Sequence, residues 1–264
     1  MSVPTTVDLE PAIARAVAAL DVAAVAATFR RQNEFVVLER WLPAAVIEPC
    51  LADVARVRPY IHRSYIPRHK KGGSVSAFDL ARQAPAISAL YHSPALQAFL
   101  RRVTGRPLGE CPPGDPHAYA LYFYTEPGDH IGFHYDTSYY RGARFTVLVG
   151  LIERSSSRLV CDPYRSLGSG VGRRPGPDGD GPVGGGSEPL RLATEPGTFV
   201  LFNGDRLWHA VTPLGPGEER VSLTLEYVTD TRMSPVRRFV SHMKDSIAYF
   251  GFRSVFGGRD RAEG

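Results

Sequence analysis

The second half of the chain contains six short segments in which apolar and polar residues alternate, and no helical segment separates them. Gly, Pro or Asp residues that favour turns lie between the segments. Parallel strands need long crossover connections, usually helices, so this arrangement disfavours a parallel α/β sheet. Strands this short are buried by forming a sandwich or barrel, with helices along an outer face. The predicted strands are 118–124, 132–137, 143–151, 197–203, 207–211 and 221–228.

The first third of the chain has the residue spacing of amphipathic helices. Apolar residues recur at helical spacing after Asp8 and after Asp21, and both aspartates can cap a helix. A basic segment, 68–73, is predicted to be a solvated loop. The remaining predictions for this region are a short strand at 34–38, one helix that begins at Pro43, and two further helices at 86–92 and 94–103.

A long segment between residues 154 and 191 loses periodicity, and nine glycines lie between Gly168 and Gly186. We predict a loop there, which is either a lid over a site or a simple insertion. A final amphipathic stretch predicts a C-terminal helix. We expect one domain, 1–264, with a helical N-terminal part (1–111), a β core (112–229) that carries an insert (155–190), and a C-terminal helix (230–264).

Composition excludes several classes of protein. With 264 residues, 43% hydrophobic and 22% charged, the chain is not disordered throughout. It has no run of about 18 apolar residues and no basic start followed by an apolar stretch, so we expect a cytoplasmic protein without membrane span or secretory signal.

Three widely spaced cysteines argue against a disulfide framework. The net charge of +4 is a mild bias that indicates no particular partner.

Three residues on predicted strands could bind one metal ion. His134 and Asp136 are two residues apart, so in an extended strand their side chains project from the same face. His209 follows 73 residues after Asp136, on another predicted strand. Two imidazoles and one carboxylate on one face of an octahedron leave adjacent positions open, as in non-haem Fe(II) oxygenases. The alternative is three unrelated polar residues on strands.

This pattern resembles the Fe(II)/2-oxoglutarate-dependent dioxygenase superfamily over residues 117–228. The three residues match its HxD…H metal triad, and Arg220 and Ser222 match the Arg-x-Ser pair that binds the distal carboxylate of 2-oxoglutarate in many members. The N-terminal third is similar to phytanoyl-hydroxylase-like members. The resemblance implies a mainly β fold with flanking helices around a double-stranded β-helix, a jelly-roll, cupin-like core.

The resemblance also implies an activity. Fe(II) would be the metal, 2-oxoglutarate and O2 the cosubstrates, and hydroxylation of an unactivated C–H bond the reaction. Asp136 favours hydroxylation, because halogenating relatives have Gly or Ala at this position, which leaves room for chloride. The stretch 134–151 resembles hydroxylases and halogenases of small molecules and free amino acids. We therefore expect an amino-acid-like or natural-product intermediate as substrate, with no nucleic-acid or membrane partner; the oligomeric state stays open.

Alternation along the strands adds three candidate contacts to 2-oxoglutarate, namely Tyr122, Tyr124 and Thr146. For the two tyrosines, packing in the core is the other interpretation. Every second residue from Arg220 to Glu226 shares one face of the last predicted strand. We expect that polar face to line the site and the apolar residues between to pack beneath helices.

Three other functions agree with parts of the pattern. Alkylation-repair members have a second Arg six residues after the first, but this chain has Glu226 there and no basic stripe with interleaved aromatics. A non-catalytic jelly-roll binding protein would be expected to have lost a metal ligand, and none is lost. A cupin-like metalloenzyme that does not use 2-oxoglutarate is disfavoured by Arg220 and Ser222.

Overall fold

The structure is a computed structural model that describes residues 7–136, 138, 140–165 and 188–232. Most of the predicted insert, from 166 to 187, lies outside the described residues. The predicted C-terminal helix beyond residue 232 also lies outside them. The division of the chain into parts of one domain stays a prediction.

Within the described residues the α-helices lie between Glu10 and Thr104, in the part of the chain where helices were predicted. Asp21 caps the second helix by accepting a hydrogen bond from the amide of Ala24 at 3.0 Å. Among the described residues no single helix is long and apolar enough to cross a membrane; the first two would be long enough together, but they are bent by 78° at their break. The α-helices of the described residues are α1 (Glu10–Ala18), α2 (Val22–Arg31), α3 (Ala44–Val57), α4 (Ala77–Gln83), α5 (Pro85–His92) and α6 (Pro94–Thr104).

The strands form one antiparallel sheet, and each of the six predicted strands of the second half is present with shifted ends. The shifts of a few residues are ordinary for boundaries read from alternation. The strands are β1 (Phe35–Leu38), β2 (His62–Ile66), β3 (Lys70–Val75), β4 (Gly109–Glu110), β5 (Tyr119–Tyr124), β6 (His130–His134), β7 (Arg144–Arg154), β8 (Leu159–Asp162), β9 (Leu190–Leu192), β10 (Phe199–Asn203), β11 (Trp208–Val211) and β12 (Glu219–Val228).

The sheet curls on itself into a half-barrel. Its strand order is β1-β10-β7-β12-β5-β3-β6-β11-β8-β9, with β2 beside β3 and β4 beside β12. Although β10 and β11 are far apart in this order, the rings of Phe202 and His209 have their centroids 5.0 Å apart. Curling therefore brings the inner faces of distant strands together. The mainly β, jelly-roll fold with flanking helices is confirmed.

The prediction of a solvated loop at 68–73 is wrong for residues 70–73, which lie in a strand, whereas residues 68 and 69 lie in an exposed turn. Lys70 begins β3, which pairs with β2 along one edge and with β5 and β6 along the other. A Cβ on Gly73 would lie 2.5 Å from Ile61 Cγ2 and 3.3 Å from Phe123 Cβ. The glycine that suggested a turn is needed for close packing inside the sheet.

Two of the predicted parts also contain strands in addition to those predicted. The N-terminal part (1–111) is not only helical, because it supplies β1, β2, β3 and β4 to the sheet. The predicted insert (155–190) contains β8 and the first residue of β9, and β8 pairs with β11. β8 has four residues and β9 has three, which is too few for alternation to become visible in the sequence.

Two apolar clusters lie on the two faces of the sheet. The larger cluster packs the outer face against the helices and includes Val221, Leu223, Leu225 and Tyr227. The predicted alternation along the last strand is therefore confirmed. The smaller cluster lies inside the curl and includes residues from β5, β7, β8, β10 and β11. This inner cluster surrounds the polar residues described next.

Candidate active site

Three potential metal ligands meet inside the curl. β6 and β11 pair so that His134 stands opposite His209, and Asp136 lies two residues past the end of β6. One ligand atom from each residue lies within 4.8 Å of the other two. The Asp136 carboxylate is 3.3 Å from His134 Nε2 and 3.8 Å from His209 Nε2. The structure thus brings together the three residues predicted from the sequence.

Asp136 reaches the cluster from outside the strand in which it was predicted to lie. The chain leaves the sheet after His134, and the backbone of Asp136 packs against Gly204 in the turn after β10. A Cβ on Gly204 would lie 2.6 Å from the Asp136 carbonyl oxygen and 2.8 Å from Asp136 Cβ. Because Gly204 has no side chain, the backbone of Asp136 can lie this close to it, and the Asp136 carboxylate can then reach the two histidines.

Both histidines have the tautomer that a metal ligand needs. His134 Nδ1 is 2.9 Å from the carbonyl oxygen of Gly132, and His209 Nδ1 is 3.1 Å from that of Leu207. A carbonyl only accepts, so each Nδ1 carries the proton and donates it. Each Nε2 then presents its lone pair to the cluster, the arrangement usual for histidine ligands.

The charges of the cluster favour an ionised carboxylate beside a neutral imidazole. Burial lowers the pKa of His209 to about 4, and the neighbouring His134 acts in the same direction. Burial alone would raise the pKa of Asp136, but His209 and His134 outweigh it and hold that pKa well below its usual range. Near neutral pH, Asp136 is therefore an anion and His209 is uncharged.

A buried polar chain supports Asp136 from behind. Thr146 Oγ1 lies 2.9 Å from Asp136 Oδ2 and 2.9 Å from Glu226 Oε2. Arg144 Nε donates to the same Glu226 oxygen at 2.9 Å. Burial raises the pKa of Glu226 to about 7, although Arg144 opposes this shift. Thr146, predicted to contact the cosubstrate, thus lies in the site with its hydroxyl placed against a metal ligand.

Arg144 and Glu226 are site residues whose partnership the sequence did not reveal. β7 and β12 pair so that Glu226 stands opposite Thr146 and Val228 opposite Arg144. Both charged side chains are buried. The available signal was the polar alternation of β12, which placed Glu226 inward, but its partner lies 82 residues away and follows only from the register.

Arg220 and Ser222 form a second polar group in the same interior. Arg220 is fully buried, and its Nη1 donates to Glu153 Oε2 at 2.7 Å. Its Nε and Nη2, and the Ser222 hydroxyl, have no hydrogen-bond partner in the described part of the chain. Unpaired buried donors are costly, so a group that accepts hydrogen bonds is expected there.

The two predicted tyrosines lie beside this group. On β5, Tyr124 stands opposite Arg220 and Tyr122 opposite Ser222. Both tyrosines line one cavity, and Thr146, Ser222 and Glu226 line it too. The same cavity is lined by His134, Asp136 and His209, which we call the metal-ligand cluster. Burial raises the pKa of Tyr124 well above its usual range, so its hydroxyl stays protonated. The apolar part of the cavity wall comes from Ile131, Leu148, Leu159, Phe202 and Val211.

The sequence is similar to one known family over part of its length. The family model described as HalD, Halogenase D, matches residues 18–143, somewhat less than half of the chain. The matched region contains His134 and Asp136 but ends before His209. No curated protein matches the chain.

Solved structures show the same fold at low sequence identity. The epimerase SnoN from nogalamycin biosynthesis, in complex with Fe3+, alpha ketoglutarate and nogalamycin RO, has 15% identity and a TM-score of 0.62, with 78% of this chain and 83% of that chain covered. The alpha-ketoglutarate-dependent carbocyclase SnoK has 14% identity and a TM-score of 0.60, covering 80% and 85%. A prolyl hydroxylase from Trichoplax adhaerens has 15% identity and a TM-score of 0.58, covering 83% and 92%.

These likenesses establish the fold. By their descriptions, the neighbours include hydroxylases, an epimerase and a carbocyclase. The expected Fe(II) and 2-oxoglutarate are supported by this fold together with the His-Asp-His cluster. The expected phytanoyl-hydroxylase-like branch stays a prediction.

Proposed function

We propose that this chain is an Fe(II)- and 2-oxoglutarate-dependent oxygenase that hydroxylates a C–H bond of a small molecule, an amino-acid-like or natural-product intermediate. The observation that carries the proposal is one cavity that holds both a His-Asp-His cluster and the unpartnered hydroxyl of Ser222, with the buried Arg220 opposite the cavity-lining Tyr124 on the neighbouring strand. A metal ion fits the first group and a carboxylate fits the second.

The donor set fits Fe(II). Two imidazole nitrogens and one carboxylate form the facial set that leaves coordination positions open on a non-haem iron. His134 and His209 are oriented for this by their Nδ1 hydrogen bonds, and Asp136 is held by Thr146. Hydrogen bonds to ligands set their direction and their basicity.

The second group fits the distal carboxylate of 2-oxoglutarate. Arg220 has two free N–H donors, and a guanidinium matches a carboxylate in a fork of two hydrogen bonds. Ser222 adds a third donor from the same face of β12. Glu153 holds the remaining edge of the guanidinium and fixes its plane. A bound carboxylate would give every unpaired atom of this group a partner.

The residues of the chain would then divide the work of the reaction. When bound, the metal and 2-oxoglutarate supply the oxidising chemistry, in which O2 is consumed, 2-oxoglutarate is converted to succinate and CO2, and oxygen is inserted into the substrate. Arg220 and Ser222 orient the cosubstrate, while the Thr146 hydroxyl keeps Asp136 in place. The apolar residues Leu148 and Leu159 keep water from the cavity.

Hydroxylation is proposed over halogenation because of Asp136. The match to a halogenase family raises the possibility of chlorination. In the halogenating relatives that the sequence resembles, however, the carboxylate position holds Gly or Ala. Here a carboxylate stands in that position, bonded to Thr146 and packed on Gly204, and both support its presence as a ligand.

The test is a substrate screen with Fe(II), 2-oxoglutarate and isotope-labelled O2. We expect succinate formation coupled to the gain of one labelled oxygen atom by a carboxylic or amino-acid-like compound, read by mass spectrometry. Asp136→Ala should abolish both signals. Asp162→Asn removes a carboxylate from β8, outside the cluster, and should retain them. Unchanged turnover in Asp136→Ala would contradict the assignment of the metal site.

A further inference from the structure

Lys70 lies on the cavity face of the sheet, although its sequence context suggested a solvated loop. It stands opposite Ile131 of β6, which lines the cavity. Lys70, Gly72 and Ser74 share one face of β3, and Ser74 stands opposite Tyr122, which also lines the cavity. The Lys70 side chain therefore projects from the same face of the sheet as the cavity-lining Ile131 and toward the ring of Tyr122.

The ammonium group of Lys70 has no anionic partner in the described part of the chain. Its Nζ lies 5.1 Å from the centroid of the Tyr122 ring, and no hydrogen bond or ion pair to it is formed. Burial lowers the pKa of Lys70 to about 8, and no neighbouring acid opposes this shift. A half-buried cation held only by an aromatic face is a group that lacks its counter-ion.

The adjacent Lys71 shows what a satisfied lysine looks like in the same strand. It projects from the other face, where its Nζ donates to the carbonyl oxygen of Pro127 at 2.8 Å. The carboxylates of Glu126 and Asp129 lie 3.6 Å and 3.9 Å from the same nitrogen. These two consecutive lysines thus differ in their surroundings, because the described residues supply anions to Lys71 and none to Lys70.

The acids near the cavity are already engaged. Asp136 faces the two histidines and Thr146, Glu226 is paired with Arg144, and Glu153 with Arg220. The charge of Lys70 acts to lower the pKa of His134. The carboxylate already assigned to Arg220 and Ser222 therefore leaves Lys70 without a partner.

We infer that Lys70 is an anion-binding residue of the active-site cavity and pairs with a carboxylate of a bound molecule, since the described residues supply none to it. The inference rests on the proposed function. Two molecules offer this group, namely 2-oxoglutarate, through its metal-side carboxylate, and a substrate that is itself a carboxylic acid. In the second case Lys70 selects small acids over their neutral analogues.

The chain has only three lysines, Lys70, Lys71 and Lys244, so each can be followed separately by NMR of protein labelled at lysine Cε. Lys70→Met and Lys71→Met assign the signals of the two neighbours. The titration of Lys70 is measured in protein loaded with Zn(II), a diamagnetic substitute for Fe(II). The probes are 2-oxoglutarate alone, and then free amino acids compared with their carboxamides in the presence of 2-oxoglutarate.

The outcomes separate the two sources. If 2-oxoglutarate pairs with Lys70, it raises the Lys70 pKa, and Lys70→Met weakens its binding about tenfold or more while Lys71→Met leaves it within about twofold. If the substrate pairs with Lys70, 2-oxoglutarate leaves the signal unchanged, and carboxylates but not carboxamides raise the pKa. Because the wild-type signal is read directly, the result does not depend on the folding of a variant.

A Lys70 pKa that no probe raises, in protein that binds 2-oxoglutarate normally, overturns the inference and leaves the proposed function intact. Failure of the metal-loaded wild type to bind 2-oxoglutarate overturns the proposed function, and the inference with it. Calorimetric titration of the wild type with 2-oxoglutarate distinguishes these two failures.

Discussion

Replacing Ser222 by Ala should stabilise the free protein and weaken its binding of 2-oxoglutarate. In the structure the Ser222 hydroxyl is buried without a hydrogen-bond partner. A buried unsatisfied polar group costs roughly 1–3 kcal/mol, so its removal should raise the free energy of unfolding by about 1 kcal/mol or more. The increase is measured by urea denaturation of the metal-free protein.

The same change should lower cosubstrate affinity, because the hydroxyl is one of three donors to the distal carboxylate. A hydrogen bond to a charged group contributes about 1.5–3 kcal/mol. The dissociation constant of 2-oxoglutarate should therefore rise roughly 10- to 150-fold, at 1.4 kcal/mol for each factor of ten. Isothermal titration of Mn(II)-loaded protein under anaerobic conditions measures this constant for both proteins.

Ser157→Ala is the matched control. Ser157 is as buried as Ser222, but its hydroxyl donates to the carbonyl oxygen of Thr212 at 2.6 Å, away from the cavity. This variant should lose stability and keep its affinity for 2-oxoglutarate. The reasoning is refuted if Ser222→Ala is destabilised like the control, or if it binds 2-oxoglutarate as tightly as the wild type.

Three further changes test other contacts. Thr146→Val removes the hydroxyl that donates to Asp136 and should weaken Mn(II) binding about 10- to 100-fold, as measured by calorimetry. The control is Thr224→Val, because the Thr224 hydroxyl donates to the carbonyl oxygen of Ala120, and this variant should bind Mn(II) as the wild type does. Equal losses of affinity in both variants would refute the role of Thr146. Glu153→Gln leaves the buried Arg220 without its counter-charge and should lower stability by about 3 kcal/mol in urea denaturation. Added 2-oxoglutarate should raise the melting temperature of that variant more than that of the wild type, and an equal rise would count against the site. With chloride present, mass spectrometry should find oxygenated product and no chlorinated product; chlorination by the wild type would show that Asp136 does not exclude halide.

The three candidate metal ligands could be predicted because two of them are close in sequence, whereas the Arg-x-Ser pair was expected from the family resemblance. Arg220 and Ser222 are two residues apart on one strand, so their side chains share a face. Asp136 lies past the end of β6 and reaches the cluster through its packing on Gly204, which alternation along a strand does not predict. His209 could be predicted because it lies on another predicted strand, which can supply a third ligand to the same site. The fold class followed in the same way from alternation without intervening helices.

The remaining features depend on contacts between distant parts of the chain. Glu226 meets Arg144 only through the register of β12 on β7, which no local pattern specifies. Lys70 was hidden because glycines and basic residues together are typical of loops, whereas Gly73 is required here by close packing on Ile61. When a residue contacts a partner far away in sequence, alternation along the strand predicts the face from which its side chain projects. It does not predict which residue that side chain contacts.

The central claim is that one cavity binds both Fe(II) and 2-oxoglutarate, and an anaerobic titration tests it most directly. Metal-free protein is titrated first with Fe(II) and then with 2-oxoglutarate while calorimetry and the visible spectrum are recorded. The account predicts one equivalent of each, binding of 2-oxoglutarate that strengthens when the metal is present, and a visible charge-transfer band from its chelation. Fe(II) binding with neither a band nor heat on addition of 2-oxoglutarate would contradict the account and indicate a metalloenzyme that does not use this cosubstrate.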